Sequence, residues 1–481
     1  MIIFLQNLIF FSPIINLIFL ILFNFLFIFD KRNIFKSFIV NCLGIFFSMI
    51  FFNLLKYTHL KFINLLSLRN CNFFLINLFF LSAFFTILIS YFWNKKKFIC
   101  KEEFYLLVIF SIIGGYISVI SNNFISMFIG IELFSISFLG LISFFSRTNT
   151  DILKFSLKYF IISSLSAIFL LLGICIFYFC FGTLTFNFET FLCSLKNSYF
   201  FIKFLGIISI IFALFLKISI FPFHFWLLEL YKKSSFNLLI YYNNAVKIVY
   251  FLILLKLLSF IVKKDAFLIQ NILEFLSIFS IIYGSYLAIF QNNIKKLLAY
   301  LSISSLGYLS TVLILFSPTD SISTIAIKLY FLESFVSSII LFSSFSILEY
   351  IYSSRNNVLS NKILFYKGLF WKQPILSTSI IIAFLSNSGI PFTLGFISKF
   401  YFFLISIKKQ FFTVSLCMCI SSIINIYIYL NLILTIFKNN FFDSKEKFLF
   451  NINKKLFFFK FFVLIFSIFL IFLGIFPQYL I

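Results

Sequence analysis

The stretch Phe204-Leu-Gly-Ile-Ile-Ser-Ile-Ile-Phe-Ala-Leu-Phe-Leu-Lys217-Ile-Ser-Ile-Phe-Pro222-Phe-His224-Phe-Trp-Leu-Leu-Glu-Leu230 decides how this chain folds. It has 27 residues of nearly unbroken apolar character. As one straight helix rising 1.5 Å per residue it would reach about 40 Å, well beyond a hydrocarbon core of about 30 Å. Pro222 removes a backbone donor and predicts a break inside the span. Lys217 stands beside that break, where an ammonium in the bilayer is costly and marks a functional position by default. Freed backbone groups at membrane depth need a polar cavity, so a broken and charged span points to an ion path.

The rest of the chain has the same character. Of 481 residues 62% are hydrophobic and 11% charged, and the mean hydropathy of +1.13 excludes an ordinary soluble domain. Phe occurs 84 times, and Arg only at positions 32, 69, 147 and 355. That bias suits an AT-rich genome, organellar or compact bacterial, and the expectation here is a mitochondrial gene. The net charge of +24 could suggest a nucleic-acid binder, but no soluble basic face exists to present it, and no nucleic-acid partner is expected. The eight Cys form no CxxC and have no His neighbours, so neither zinc nor an iron–sulfur cluster is expected. The first apolar stretch, Ile3 to Phe29, lacks a basic n-region and a small-residue cleavage site and is expected to remain as a membrane helix.

Apolar runs between polar punctuation predict an all-α polytopic membrane protein of about fourteen transmembrane helices. Loops following odd-numbered spans carry most of the Lys and Arg, which sets them on the matrix or cytoplasmic side and both termini on the opposite side. A second overlong span, Ile375 to Ile407, is interrupted by Ser386-Asn-Ser-Gly-Ile-Pro391, with Lys399 just beyond. The two broken spans are the seventh and the twelfth. They hold the fourth place in two successive five-span blocks, spans 4 to 8 and 9 to 13. Five is odd, so the blocks are expected to be inverted repeats, without evident sequence similarity between them. The predicted division is a three-helix segment (1–103), two five-helix repeats (104–265 and 266–440) and a final helix (441–481).

Four ionisable residues lie deep in their spans: Glu132, Lys217, Lys247 and Lys399. Desolvation disfavours a charged Lys and a nearby carboxylate favours it, so moving the carboxylate can gate a proton. Glu132 stands in Gly130-Ile-Glu-Leu-Phe-Ser, on a span with small residues that permit close packing. The plain alternative is a static Glu–Lys pair holding spans 5 and 7 together, and the two roles are compatible. Lys328 and Glu333 share span 11, five residues apart, and are expected to pair with other helices. Lys328 and His224 are possible relay positions, with a structural link and an interfacial hydrogen bond as their plain readings. Lys256 and Lys460 lie near span ends and are expected to snorkel.

From span 4 to span 13 these motifs resemble the antiporter-like subunits of NADH:quinone oxidoreductase, respiratory complex I. Leu216-Lys-Ile-Ser-Ile-Phe-Pro-Phe-His-Phe-Trp226 looks like the family's Lys, Pro, His and Trp signature, and Ala245-Val-Lys-Ile248 is similar to its buried Lys of span 8. Gln291-Asn-Asn-Ile-Lys-Lys-Leu-Leu-Ala-Tyr-Leu-Ser-Ile-Ser-Ser-Leu-Gly307 resembles its polar turn and following helix. Gly389-Ile-Pro-Phe-Thr-Leu-Gly-Phe-Ile-Ser-Lys-Phe400 resembles its second broken helix, with the Lys that suits the subunit 2 branch. The subunit 4 branch is expected to carry Glu there, and the subunit 5 branch to continue into a long lateral helix. Two features depart from the pattern: no Gly-Ala-Pro turn follows Trp226, and Ser305 stands where the family often has His.

The resemblance implies a proton-translocating subunit of NADH:ubiquinone reductase in the mitochondrial inner membrane, or the plasma membrane if bacterial. It implies no cofactor on this chain, with NADH, FMN, iron–sulfur clusters and ubiquinone on partner subunits. It also implies neighbours that include the antiporter-like subunit 4 and the small subunit 4L, together with membrane lipids. A multi-subunit cation/proton antiporter of the Mrp kind shares the pattern and is the nearest rival. A non-pumping structural subunit is the third reading, because buried charges also serve packing specificity.

Overall fold

A computed structural model describes residues 2–29, 34–55, 61–62, 66–67, 72–97, 101–144, 150–186, 200–261, 266–315, 321–353, 362–438 and 454–479. Helices dominate, as they must where water cannot satisfy backbone groups. Among the described residues the strands are Lys61–Phe62 and Leu66–Ser67, one short antiparallel pair. Among the described residues twelve helices are long and apolar enough to cross a membrane, and Pro374–Ser388 and Phe459–Ile475 are shorter apolar helices.

The chain divides into two compact units, residues 1–219 with 245–264, and residues 220–244 with 265–481. The first holds α1 (Ile2–Phe29), α2 (Ile34–Leu54), α3 (Phe73–Lys97), α4 (Lys101–Ile120), α5 (Phe124–Ser143), α6 (Thr150–Phe181) and α7 (Phe200–Ile218). The second receives α8 (Phe225–Lys233) and α9 (Phe236–Tyr241). A π segment, Tyr242–Val246, leads from α9 into α10 (Lys247–Ile261), which returns to the first unit. The second unit continues with α11 (Ala266–Ile289), α12 (Ile294–Leu315), α13 (Ser321–Ser353), α14 (Leu369–Lys372), α15 (Pro374–Ser388), α16 (Leu394–Lys408), α17 (Phe412–Phe437) and α18 (Lys454–Ile475).

In the first unit, small residues set the helix spacing. A Cβ on Gly114 of α4 would lie 2.5 Å from the Phe134 nitrogen and 2.9 Å from the Gly130 oxygen of α5, so the two helices touch backbone to backbone. Asn123 precedes α5 in extended conformation and bridges to Thr185 beyond α6. The second unit repeats this arrangement, with the glycine contacts and the bridging Asn at one constant offset along the chain. A Cβ on Gly284 of α11 would meet the Ser304 nitrogen at 2.6 Å and the Tyr300 oxygen at 2.7 Å, and Asn293 before α12 bridges to Lys362 beyond α13. The central helix of this unit is α13, packed by α9, α15, α16 and α18, with 83% of its apolar window buried. By contrast α6 is only 28% buried and turns Leu157, Phe160 and Ile161 outward. Such a face suits lipid rather than water.

The overlong spans break where the sequence predicts. α7 ends at Ile218, Ser219 takes φ +72°, and helix resumes at Phe225. α15 ends at Ser388, Gly389 and Phe392 take φ +84° and +69°, and α16 begins at Leu394.

Candidate proton-conducting residues

Gly130 lies against α4, and Glu132, two residues on and roughly 200° round the helix, faces away from that contact. There its Oε1 accepts a hydrogen bond from Lys217 Nζ at 2.7 Å, while Ser135 Oγ donates to Oε2 at 3.2 Å. The pair bridges α5 and α7, as expected for spans 5 and 7. Its members are unequally shielded: the Lys217 side chain is 2% exposed and that of Glu132 21%. Lys217 occupies the last turn of α7, where carbonyls run out of intrahelical partners and the negative end of the helix dipole favours a cation. The break thus helps to hold the charge.

Lys247 is buried at the head of α10, directly after the π segment. A π turn shifts the helix face by one residue and is frequent at functional sites.

In the second unit Lys399 reaches from α16 back to the broken end of α15, donating to the carbonyls of Asn387 at 2.6 Å and Ser388 at 3.0 Å. Gly389 makes room for it: a Cβ there would lie 3.0 Å from Lys399 Cδ and 3.3 Å from Nζ. Among the described residues the ammonium is therefore held by backbone, not by a carboxylate. Glu333 of α13 is buried nearby and accepts a hydrogen bond from Ser386 Oγ at 3.2 Å. The sequence predicts that Glu333 pairs with another helix, which it does at Ser386 of α15, but does not place it beside Lys399. The signal was available, since it is an acid deep in an apolar span, as Glu132 is.

His224 is fully buried among Phe221, Phe225 and Tyr283, with ring centroids 5.6, 4.5 and 4.8 Å away. Neither ring nitrogen has a hydrogen-bond partner among the described residues. Lys328 is half-buried on α13, and Tyr330, two residues on, donates to the Ser305 carbonyl at 2.9 Å.

Lys256 and Lys460, expected to snorkel, each find hydrogen-bond partners within the protein. Lys256 Nζ donates to the carbonyls of Val119 and Ser121 at the end of α4, and Lys460, itself buried, donates to Gln373 Oε1 at 2.7 Å. Helix-end carbonyls lack intrahelical donors and suit a cation, which accounts for the Lys256 contacts. Lys256→Met should accordingly lower the thermal stability of the assembled protein by about 1.5–3 kcal/mol, the range for hydrogen bonds to a charged group, while leaving ion flux per assembled molecule unchanged. Differential scanning of purified protein beside a vesicle flux assay checks both halves.

Residues 121–425 match a family model described as NADH:quinone oxidoreductase/Mrp antiporter, TM. The chain is 35% identical over 401 residues to NADH-quinone oxidoreductase subunit N of Buchnera aphidicola subsp. Schizaphis graminum, covering 82% of this chain and 81% of the relative. Its fold is similar to a chain of respiratory complex I from Thermus thermophilus, with a TM-score of 0.78, 21% identity and 97% of each chain covered. It is also similar to a chain of the Mrp complex from Dietzia sp. DQ12-45-1b, with a TM-score of 0.78, 15% identity, and 91% of this chain and 81% of that chain covered. At those identities the two structures speak for the fold alone. The family match takes in Glu132, Lys217, His224, Lys247, Lys328, Glu333 and Lys399.

Proposed function

The chain belongs to the NADH:quinone oxidoreductase/Mrp antiporter transmembrane family, and we propose from this premise that it is the proton-translocating subunit N (subunit 2) of a respiratory complex I. The observation that carries the reading is the Glu132–Lys217 pair, a buried lysine on a half-buried carboxylate, in a bundle of apolar helices beside a broken helix. A buried ammonium that gives up its proton when its partner carboxylate moves away and regains one when it comes back is a proton carrier. Glu132 sets the charge on Lys217, the proton passes to Lys247, and Lys399 leads to the release side. Lys328 and His224 are secondary relay positions. The aromatic enclosure of His224 favours a packing role over both the relay and the interfacial hydrogen bond.

The same reading gives fourteen crossings, counting the two shorter helices with the twelve long ones, and both termini on the outer side. Its two five-helix repeats are supported by the matching Gly114/Gly284 contacts and the bridges at Asn123 and Asn293, and their inversion follows from the odd number of crossings in each. Redox cofactors belong to partner subunits, with subunits 4 and 4L as neighbours. The host membrane is the mitochondrial inner membrane or a bacterial plasma membrane, and bacterial relatives favour the second.

The fold likeness to an Mrp complex keeps a cation/proton antiporter as the second reading. Mass spectrometry of mildly solubilised membranes on a native gel separates the two. The chain is expected in a very large NADH-oxidising band; recovery in an NADH-inactive assembly with sodium-dependent proton flux would transfer it to the antiporter class.

A further inference from the structure

Three residues of one helix break serve two charged groups in the second unit. Ser386 donates its hydroxyl to the Glu333 carboxylate at 3.2 Å, and the carbonyls of Asn387 and Ser388 hold the Lys399 ammonium at 2.6 and 3.0 Å. The arrangement is tight, since a Cβ on Gly395 of α16 would lie 1.9 Å from the Ser386 oxygen. Glu333 is 6% exposed, and Ser386 supplies its one hydrogen bond among the described residues. A carboxylate has about four acceptor sites, so this one is under-served where it lies. The Glu333 and Lys399 charges act on one another electrostatically.

The offset that relates Gly114 to Gly284 and Asn123 to Asn293 carries Glu132 onto Ser302. The second unit therefore has no acid at the position from which the first unit partners its lysine. Its buried acid beside the broken helix comes from a different element, α13.

We propose that Glu333 is the carboxylate partner of Lys399, completing a second carboxylate–lysine switch in the proton path. This rests on the proton-translocating reading above and deepens it. In the observed state the ammonium rests on the Asn387 and Ser388 carbonyls. In the alternative state it turns to Glu333 and passes its proton there: one N–H bond breaks and one O–H bond forms, leaving a neutral amine and a carboxylic acid. The net charge of the pair is unchanged, which is what a low-dielectric site favours.

The test compares Glu333→Gln and Glu333→Asp in the intact, vesicle-reconstituted complex, reading protons moved per NADH oxidised, with Lys217→Met as reference. Gln keeps the volume and the acceptor for Ser386 but cannot ionise, so a packing role would survive it. Glu333→Gln is expected to lower proton flux by about ten-fold, with assembly intact, and Glu333→Asp to restore most of it. Wild-type flux in Glu333→Gln while Lys217→Met is inactive would overturn the proposal and leave the function standing. Wild-type flux in Lys217→Met would instead remove the function itself. Should Glu333→Gln fail to assemble, the wild-type complex decides. Dicyclohexylcarbodiimide, which attacks protonated carboxyls in apolar surroundings, is expected to label Glu333 in peptide mass spectra, and an unlabelled Glu333 overturns the proposal.

Discussion

Lys217→Met should abolish proton pumping while the complex still assembles. The unequal burial of the pair is the reason to expect both results together. Met fills the space of the 2% exposed lysine side chain with an apolar group of similar length. The carboxylate left behind is 21% exposed and keeps its hydrogen bond from Ser135, so it is not stranded. The opposite change, Glu132→Gln, leaves an uncompensated charge at the more deeply buried position, a defect that typically costs about 3–5 kcal/mol. It is therefore expected to lower the yield of assembled complex as well as the flux. Proton flux per NADH oxidised in vesicles, beside native-gel yield, separates the effects. A Lys217→Met complex that pumps normally would end the proton-carrier assignment, and one that fails to assemble would favour the structural-subunit reading.

Gly395→Ala should be the most damaging single-methyl change in the second unit. Its Cβ would lie 1.9 Å from the Ser386 carbonyl oxygen and 2.7 Å from the Ser386 carbonyl carbon. Both atoms are backbone, so no rotamer relieves the contact, and α16 must move away from the end of α15. Overpacking ordinarily costs about 1–3 kcal/mol, and a backbone clash this close should reach or exceed the top of that range. The displacement also carries Lys399 away from the Asn387 and Ser388 carbonyls, so stability and flux should fall together. Gly182→Ala is the control. Gly182 has φ +69° but nothing within 4 Å of a new Cβ, so the substitution should cost only about 1–2 kcal/mol of left-handed backbone strain. Heat-challenged native gels of both variants check the ranking, and a Gly395→Ala complex as stable as Gly182→Ala would contradict the packing described for the break.

The membrane class, the helical fold, the two broken spans and their buried lysines are all legible in the sequence, because each follows from a local property. An apolar run longer than the bilayer is thick must bend, Pro222 and the Ser386 to Pro391 run say where, and a lone Lys in such a run declares itself. The pairing of Glu132 with Lys217 is a step less local, but hydrocarbon leaves a buried ammonium few other partners. What the sequence could not give is the choice among several possible partners. Lys256 and Lys460 find helix-end carbonyls and Gln373. Lys399 rests on the backbone that its own broken helix set free, and Glu333 joins it through Ser386, a residue far away in the chain. The likeness of the two units is likewise hidden, because it resides in backbone approach at Gly114 and Gly284 rather than in shared side chains. Chain length and hydropathy determine that helices cross a bilayer and where they break. Which polar groups meet is decided by tertiary packing, because burial lets each charge pair only with what the neighbouring helices bring within about 3 Å of it.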